Sequence, residues 1–86
     1  MSAKPKTPKA PKLFIKNGSE ACVLRKKLAL NQSAFWKRIQ VTQSGGSRYE
    51  SGRNLPRPVQ LLLHLTYAPE EQALAMLNYL RIGQAT

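Results

Sequence analysis

From Ser19 onward, apolar side chains return at steps of three and four, in stretches broken by Asn, Gly, Pro and Ser. This is the pattern of short amphipathic helices. The first stretch covers about 20–29 and puts Ala21, Leu24 and Leu28 on one face. Cys22 and Val23 flank that face, and Lys26 and Lys27 turn away from it. Asn17-Gly18 is a turn signal, and Ser19 is the expected N-cap. A second stretch, about 32–39, directs Phe35 and Ile39 inward. A third, about 43–50, is polar and begins after Thr42, its expected N-cap. Residues 54–58, Asn-Leu-Pro-Arg-Pro, read as a loop whose Pro58 sits in the first turn of a fourth helix, about 58–66, carrying Val59, Leu62 and Leu63. Pro69 opens a fifth, about 69–81. Glu70 and Glu71 stand in its first turn, where the helix dipole favours them, and Ala73, Met76, Leu77 and Leu80 form its apolar stripe. The predicted fold class is all-α, a compact five-helix domain over 17–86 behind a flexible arm over 1–16. At 86 residues the chain is close to the lower limit for an independent core.

The arm departs from this pattern. Pro5, Pro8 and Pro11 recur every third residue, each followed by a lysine, Lys6, Lys9 and Lys12. Proline forbids a regular helix here and favours polyproline II. In that form the three lysines line one edge, roughly 9 Å apart at about 3.1 Å rise per residue. Such an arm can track a phosphate backbone or serve as a disordered, solubilising tail. Leu13-Phe14-Ile15 interrupts the polarity and is expected to dock on the domain, extended or as a short strand. Charge sharpens the picture. The net charge is +10, and it divides into +5 over residues 1–16, +6 over 17–57 and −1 over 58–86. The excess surrounds the second and third helices, and its natural partner is a polyanion, most commonly nucleic acid.

Residues 30–56, LNQSAFWKRIQVTQSGGSRYESGRNLP, combine a Gln-initiated helix, a short break and a polar helix ending in Tyr49-Glu50, with Gly52 and Arg53 just beyond. This is the layout of a helix-turn-helix, which lays its second helix in the major groove of DNA. Leu30-Asn31-Gln32 resembles the entry to helix two, and Tyr49-Glu50, Gly52 and Pro56 resemble the closing pattern, of the lambdoid phage repressor and Cro family, the XRE-type helix-turn-helix. Arg25 falls where that family has an arginine in helix one. Residues 20–67 resemble its five-helix DNA-binding domain.

The resemblance implies a division of labour. Gln32 opens the second helix against the DNA backbone, donating to a phosphate while accepting from a neighbour. Asn31, Ser51 and Arg53 add phosphate contacts, which hold register but carry no sequence information. Base reading falls to Thr42, Gln43, Ser44, Ser47 and Arg48. Gln43 and Arg48 are the specificity residues, because Gln pairs bidentately with adenine and Arg with guanine. Arg25 and Glu50 form a partly buried ion pair that ties the first helix to the end of the third. Two positions depart from the family. Trp36 stands where the family has a small residue and Gly46 where it has a branched apolar one. That exchange conserves volume if Trp36 packs over the Gly45-Gly46 backbone; the alternative is an exposed Trp36 used for stacking or partner binding. Gln40 stands where the family has a turn glycine of positive φ, which Gln adopts only with strain.

No catalytic constellation emerges. His64, the single histidine, lies among leucines and reads as a core or helix-surface residue. Cys22, the single cysteine, has no metal-binding neighbour of the usual spacing and cannot form an internal disulfide, which favours a reducing compartment. No metal, no cofactor and no enzymatic activity are expected. No apolar run approaches the roughly 20 residues of a membrane span, and Leu13-Phe14-Ile15 is too short for a signal-peptide core. The expected protein is a cytoplasmic, nucleoid-associated transcriptional regulator, a repressor that binds double-stranded DNA at a palindromic operator as a homodimer. Leu74, Leu77, Leu80 and Ile82 form the expected dimer interface, unless that stripe only closes the monomer core. The alternatives are the antitoxin of a toxin–antitoxin pair, holding a protein toxin and its own promoter, and a protein-interaction module on a degenerate helix-turn-helix.

Overall fold

The computed structural model describes residues 10–83, in which five helices follow in order: α1 (Gly18–Lys27), α2 (Gln32–Lys37), α3 (Gln43–Glu50), α4 (Arg57–Tyr67) and α5 (Glu70–Ile82). No strand occurs among the described residues. Residues 1–9, which hold most of the expected Lys/Pro arm, lie outside the described residues, as do residues 84–86.

Helix α1 begins earlier than its apolar pattern suggests, and its cap is Asn17 rather than Ser19. The Asn17 backbone is extended, and its Oδ1 accepts from Glu20 N at 2.9 Å. Glu20 Oε1 in turn accepts from Lys16 N at 2.8 Å, so the first turn satisfies donors in both directions. Gly18 is thereby drawn into the helix. It packs so tightly against the Tyr49 carbonyl of α3 that an added Cβ would collide with it. At the other end Leu28 is the C-cap and Ala29 turns the chain with φ 59°. Leu28 therefore leaves the helix face before it can pack, and it is 46% exposed. Leu30, beyond the turn, packs on the core instead.

Helix α2 has only six residues, capped by Asn31 Oδ1 on Ala34 N at 2.8 Å. It contributes the two largest core side chains. Phe35 and Trp36 are fully buried and meet edge to face at 5.3 Å and 78°. Burying a side chain of this class stabilises the fold by roughly 1.5–3 kcal/mol. Phe35 also stacks on Tyr67 of α4 at 4.4 Å, and the Tyr67 hydroxyl donates to the Phe35 carbonyl at 2.7 Å. Ile39 lies beyond the end of α2, in the turn, and still reaches the core. Ile15 from the segment before α1, Ala21, Leu55 and Leu63 complete that core.

The segment before α1 docks as an irregular stretch with a bend at Phe14, not as a strand. Ile15 is buried, Lys16 O accepts from Gln60 Nε2 at 2.8 Å, and Phe14 N donates to His64 Nδ1 at 3.0 Å. His64 is itself fully buried, with Nε2 3.0 Å from Gln72 O. With Nδ1 accepting, Nε2 carries the hydrogen and donates to that carbonyl. One imidazole thus joins the entry segment, α4 and α5.

The outer helices bury less than their sequence pattern implies. In α4 Leu63 is buried while Leu62 is 43% exposed. In α5 only Met76 is buried, whereas Leu77 and Leu80 are 41% and 39% exposed. Among the described residues, helix α5 packs mainly on α4, while α1 and α2 both pack on α3, so α4 is the main cover for the apolar residues of α5.

Candidate nucleic-acid interface

Helices α2 and α3 are joined by a turn that closes on one atom. The Trp36 carbonyl accepts from Ile39 N and Val41 N, each at 3.1 Å. Gln40, between those donors, has φ 66°. The positive φ of the turn is therefore kept although no glycine supplies it. Thr42 is extended, and its Oγ1 accepts from Gly45 N at 3.1 Å, starting α3.

The exchange between Trp36 and Gly46 closes the space behind α3. Trp36 is buried against Gly46, where an added Cβ would overlap Cγ and Cδ1 of the indole. The Trp36 contact is with Gly46; an added Cβ on Gly45 would instead face Val41 and Thr42. The alternative of an exposed, stacking Trp36 is excluded.

Glu50 is the fastening point of the motif. Its carboxylate accepts from Arg25 Nε at 2.9 Å, Arg25 Nη2 at 3.0 Å, Gln32 Nε2 at 3.0 Å and Trp36 Nε1 at 2.8 Å. The Arg25 and Glu50 side chains are 14% and 5% exposed. Arg25 Nη1 also donates to Leu30 O at 3.0 Å, and Cys22 Sγ lies 3.9 Å from Nη2. A planar guanidinium meets a carboxylate through two parallel bonds, so the pair fixes orientation as well as distance. Burial by itself pushes the Glu50 pKa up. The donors from Arg25, Gln32 and Trp36 outweigh that effect and hold the carboxyl at about 2, below its ordinary 4.5. Hydrogen bonding to Glu50 likewise raises the Arg25 pKa against its own burial. Among the described residues no buried side-chain polar atom lacks a partner.

Other residues singled out by sequence are distributed around this anchor. Gln43, Ser44 and Arg48 are exposed on α3, Ser47 is half-buried, and the exposed Thr42 spends its hydroxyl on the cap. Asn31, Ser51 and Arg53 are exposed at the ends of α2 and α3, with Asn31 Oδ1 committed to capping α2. Gln32 does not accept from its neighbour. It donates, because the neighbour is a carboxylate. Two residues missed in the sequence join the surface. Ser33 and Lys37 line a depression of about 300 Å³ with Gln40, Val41, Thr42 and Gln43. They are four apart, and a basic residue one turn from Ser33 on a helix with a buried Phe35-Trp36 face was the available signal. The Trp36–Glu50 bond had no signal, since nothing in the chain pairs an indole with a given acid.

The model of the RsaL-like helix-turn-helix domain matches residues 22–66, from the middle of α1 almost to the end of α4. The chain belongs to this family. A member of the RsaL-like helix-turn-helix family is a DNA-binding regulator of transcription, and the Cro/repressor-type resemblance is a close fit to it. The matched span holds Arg25, the whole α2–turn–α3 unit and Glu50, and leaves α5 outside. No curated protein and no solved structure matches the chain significantly. Among the described residues, no group of three or more His, Cys, Asp or Glu is placed to hold a metal ion, and no helix is long and apolar enough to cross a membrane.

Proposed function

We propose that this member of the family represses transcription by binding a palindromic operator as a homodimer, with α3 in the major groove of each half-site. The observation that carries the reading is the pose of α3: Gln43, Ser44 and Arg48 are exposed while Gly46 and Glu50 hold its back to the domain. Gln43 and Arg48 read bases, with Thr42, Ser44 and Ser47 beside them, and Asn31, Gln32, Ser51 and Arg53 meet phosphates. One recognition helix reads only a few base pairs, so a second copy is needed about one helical turn away, near 34 Å. Leu74, Leu77, Leu80 and Ile82 on α5, each 39% exposed or more, supply the apolar surface for it. Selection of bound duplexes from a random pool tests this reading. The expected result is a consensus with inverted symmetry. Arg48→Ala is expected to lose about 1–3 kcal/mol of discrimination at one base pair per half-site. An asymmetric consensus would overturn the homodimer, and an Arg48→Ala variant with unchanged preferences would overturn its assigned role.

A further inference from the structure

Helix α3 is poorly equipped to hold its own shape. It has eight residues, and Gly45-Gly46 lies in its interior, where glycine weakens a helix. Its pose is therefore set from outside: Arg25 and Gln32 hold its C-terminal end through Glu50, and one side chain reaches both that end and the middle of the helix. The Trp36 ring lies against Gly46, and its Nε1 donates to Glu50 at 2.8 Å. Gly46 and Glu50 are four residues apart and share one face of α3. The indole therefore spans a full turn of the helix, with shape contact at one end and a charge-assisted hydrogen bond at the other. Tyr49 adds a tilted ring contact at 5.5 Å and 40°. The Trp36 carbonyl meanwhile closes the turn that leads into α3. Entry and rear of the helix are thus governed by the same residue.

We propose that Trp36 is the positioning residue for base recognition, and that its indole N–H, not only its bulk, sets the rotation of α3 about its axis. The inference rests on α3 being the helix that reads bases. Without the N–H, the ring still fills the space behind Gly46 and Glu50 keeps its bonds to Arg25 and Gln32, but the bond that ties Glu50 to the side chain seated on Gly46 is gone, and α3 gains freedom to rotate about that contact. Base-reading side chains tolerate misplacement of only about 0.5 Å. Contacts to phosphates, spread over α2 and the loop after α3, are less sensitive to such a roll.

The full chain is to be compared with two variants: Trp36→Phe, and a form in which benzothiophene replaces the Trp36 indole. The second keeps the bicyclic shape and substitutes sulfur for the N–H. Trp36 is the only tryptophan in the chain, so global replacement alters one site. The probes are the best duplex selected from the random pool and a scrambled duplex of the same composition, at one salt concentration. The benzothiophene form is expected to keep its helical circular dichroism and to bind the scrambled duplex within about twofold of the native chain. Its preference for the selected duplex is expected to fall at least tenfold. Trp36→Phe is expected to fall as far or further. A folded benzothiophene form that keeps its full preference would overturn the proposal and leave Trp36 as core packing. A form that loses its fold would also overturn it, because the bond would then serve stability. A native chain that binds both duplexes alike would overturn base reading by α3 itself, a result distinguishable from either of the others.

Discussion

Protonation of Glu50 is expected to remove about 3 kcal/mol of stability, and the loss should be confined to a narrow acid window. The folded carboxyl titrates at about 2, against an ordinary value of 4.5. That gap of roughly 2.5 pH units, at about 1.4 kcal/mol per unit, gives the magnitude. On acidification the unfolded chain takes up the proton first, so the contribution is complete above pH 4.5, drains between 4.5 and about 2, and is gone below. The side chain is only 5% exposed, so solvent does little to screen the interaction. Urea denaturation followed by far-UV circular dichroism, at pH steps from 7 to 2, measures it against Glu50→Gln. At neutral pH the variant should be the less stable, because Arg25 keeps its charge in a largely buried place without its partner. Glu20, Glu70 and Glu71 are present in both chains and cancel in the difference. The stability gap should therefore shrink by about 3 kcal/mol between pH 5 and pH 2. A gap that stays constant over that interval would refute the argument that the four N–H donors hold Glu50 ionised.

Gly46→Ala should destabilise the fold by about 1–3 kcal/mol in urea denaturation, the usual cost of overpacking, although alanine is the better helix former by about 0.5–1 kcal/mol. The added Cβ meets the buried Trp36 ring, which has no room to retreat. Gln40→Gly should act in the opposite direction: with φ at 66° and the side chain exposed, relief of strain should stabilise by about 0.5–1 kcal/mol net and raise Tm by a few degrees. His64→Phe keeps the volume but takes the acceptor from the Phe14 N–H and a second donor from the Gln72 carbonyl, which keeps its helical bond, and should cost about 1–3 kcal/mol in all. Hydrogen exchange at the Phe14 amide should speed up in that variant, and unchanged exchange would show that the imidazole does not hold the entry segment.

Local chemistry made much of this protein legible. Thr42 declared the start of α3 because its hydroxyl can cap a helix without help from the rest of the chain. The five helices followed from apolar spacing and caps, which are properties of short segments, and the DNA-binding class from charge placement together with the resemblance of the Gln32, Glu50 and Gly52 pattern to the Cro/repressor family. Spacing failed where a partner had to be known. Leu28 has the period of a core residue, but the positive φ of Ala29 ends the helix face before it can pack. Leu77 and Leu80 have the period of a stripe, but among the described elements α5 packs mainly on α4, which leaves them exposed. Periodicity identifies a face and is silent about what covers it.

The sequence by itself therefore determined an all-helical, basic domain, because caps, helical periods and charge act over a few residues, and its resemblance to the Cro/repressor family made it a DNA-binding one. Tertiary structure alone decided what fills the shell of Glu50, why Gly18 must be in the first turn of α1, and which leucines remain outside. Each of those depends on the approach of elements distant in the chain, where a carboxylate binds whichever donors arrive and a glycine matters only when another backbone lies against it.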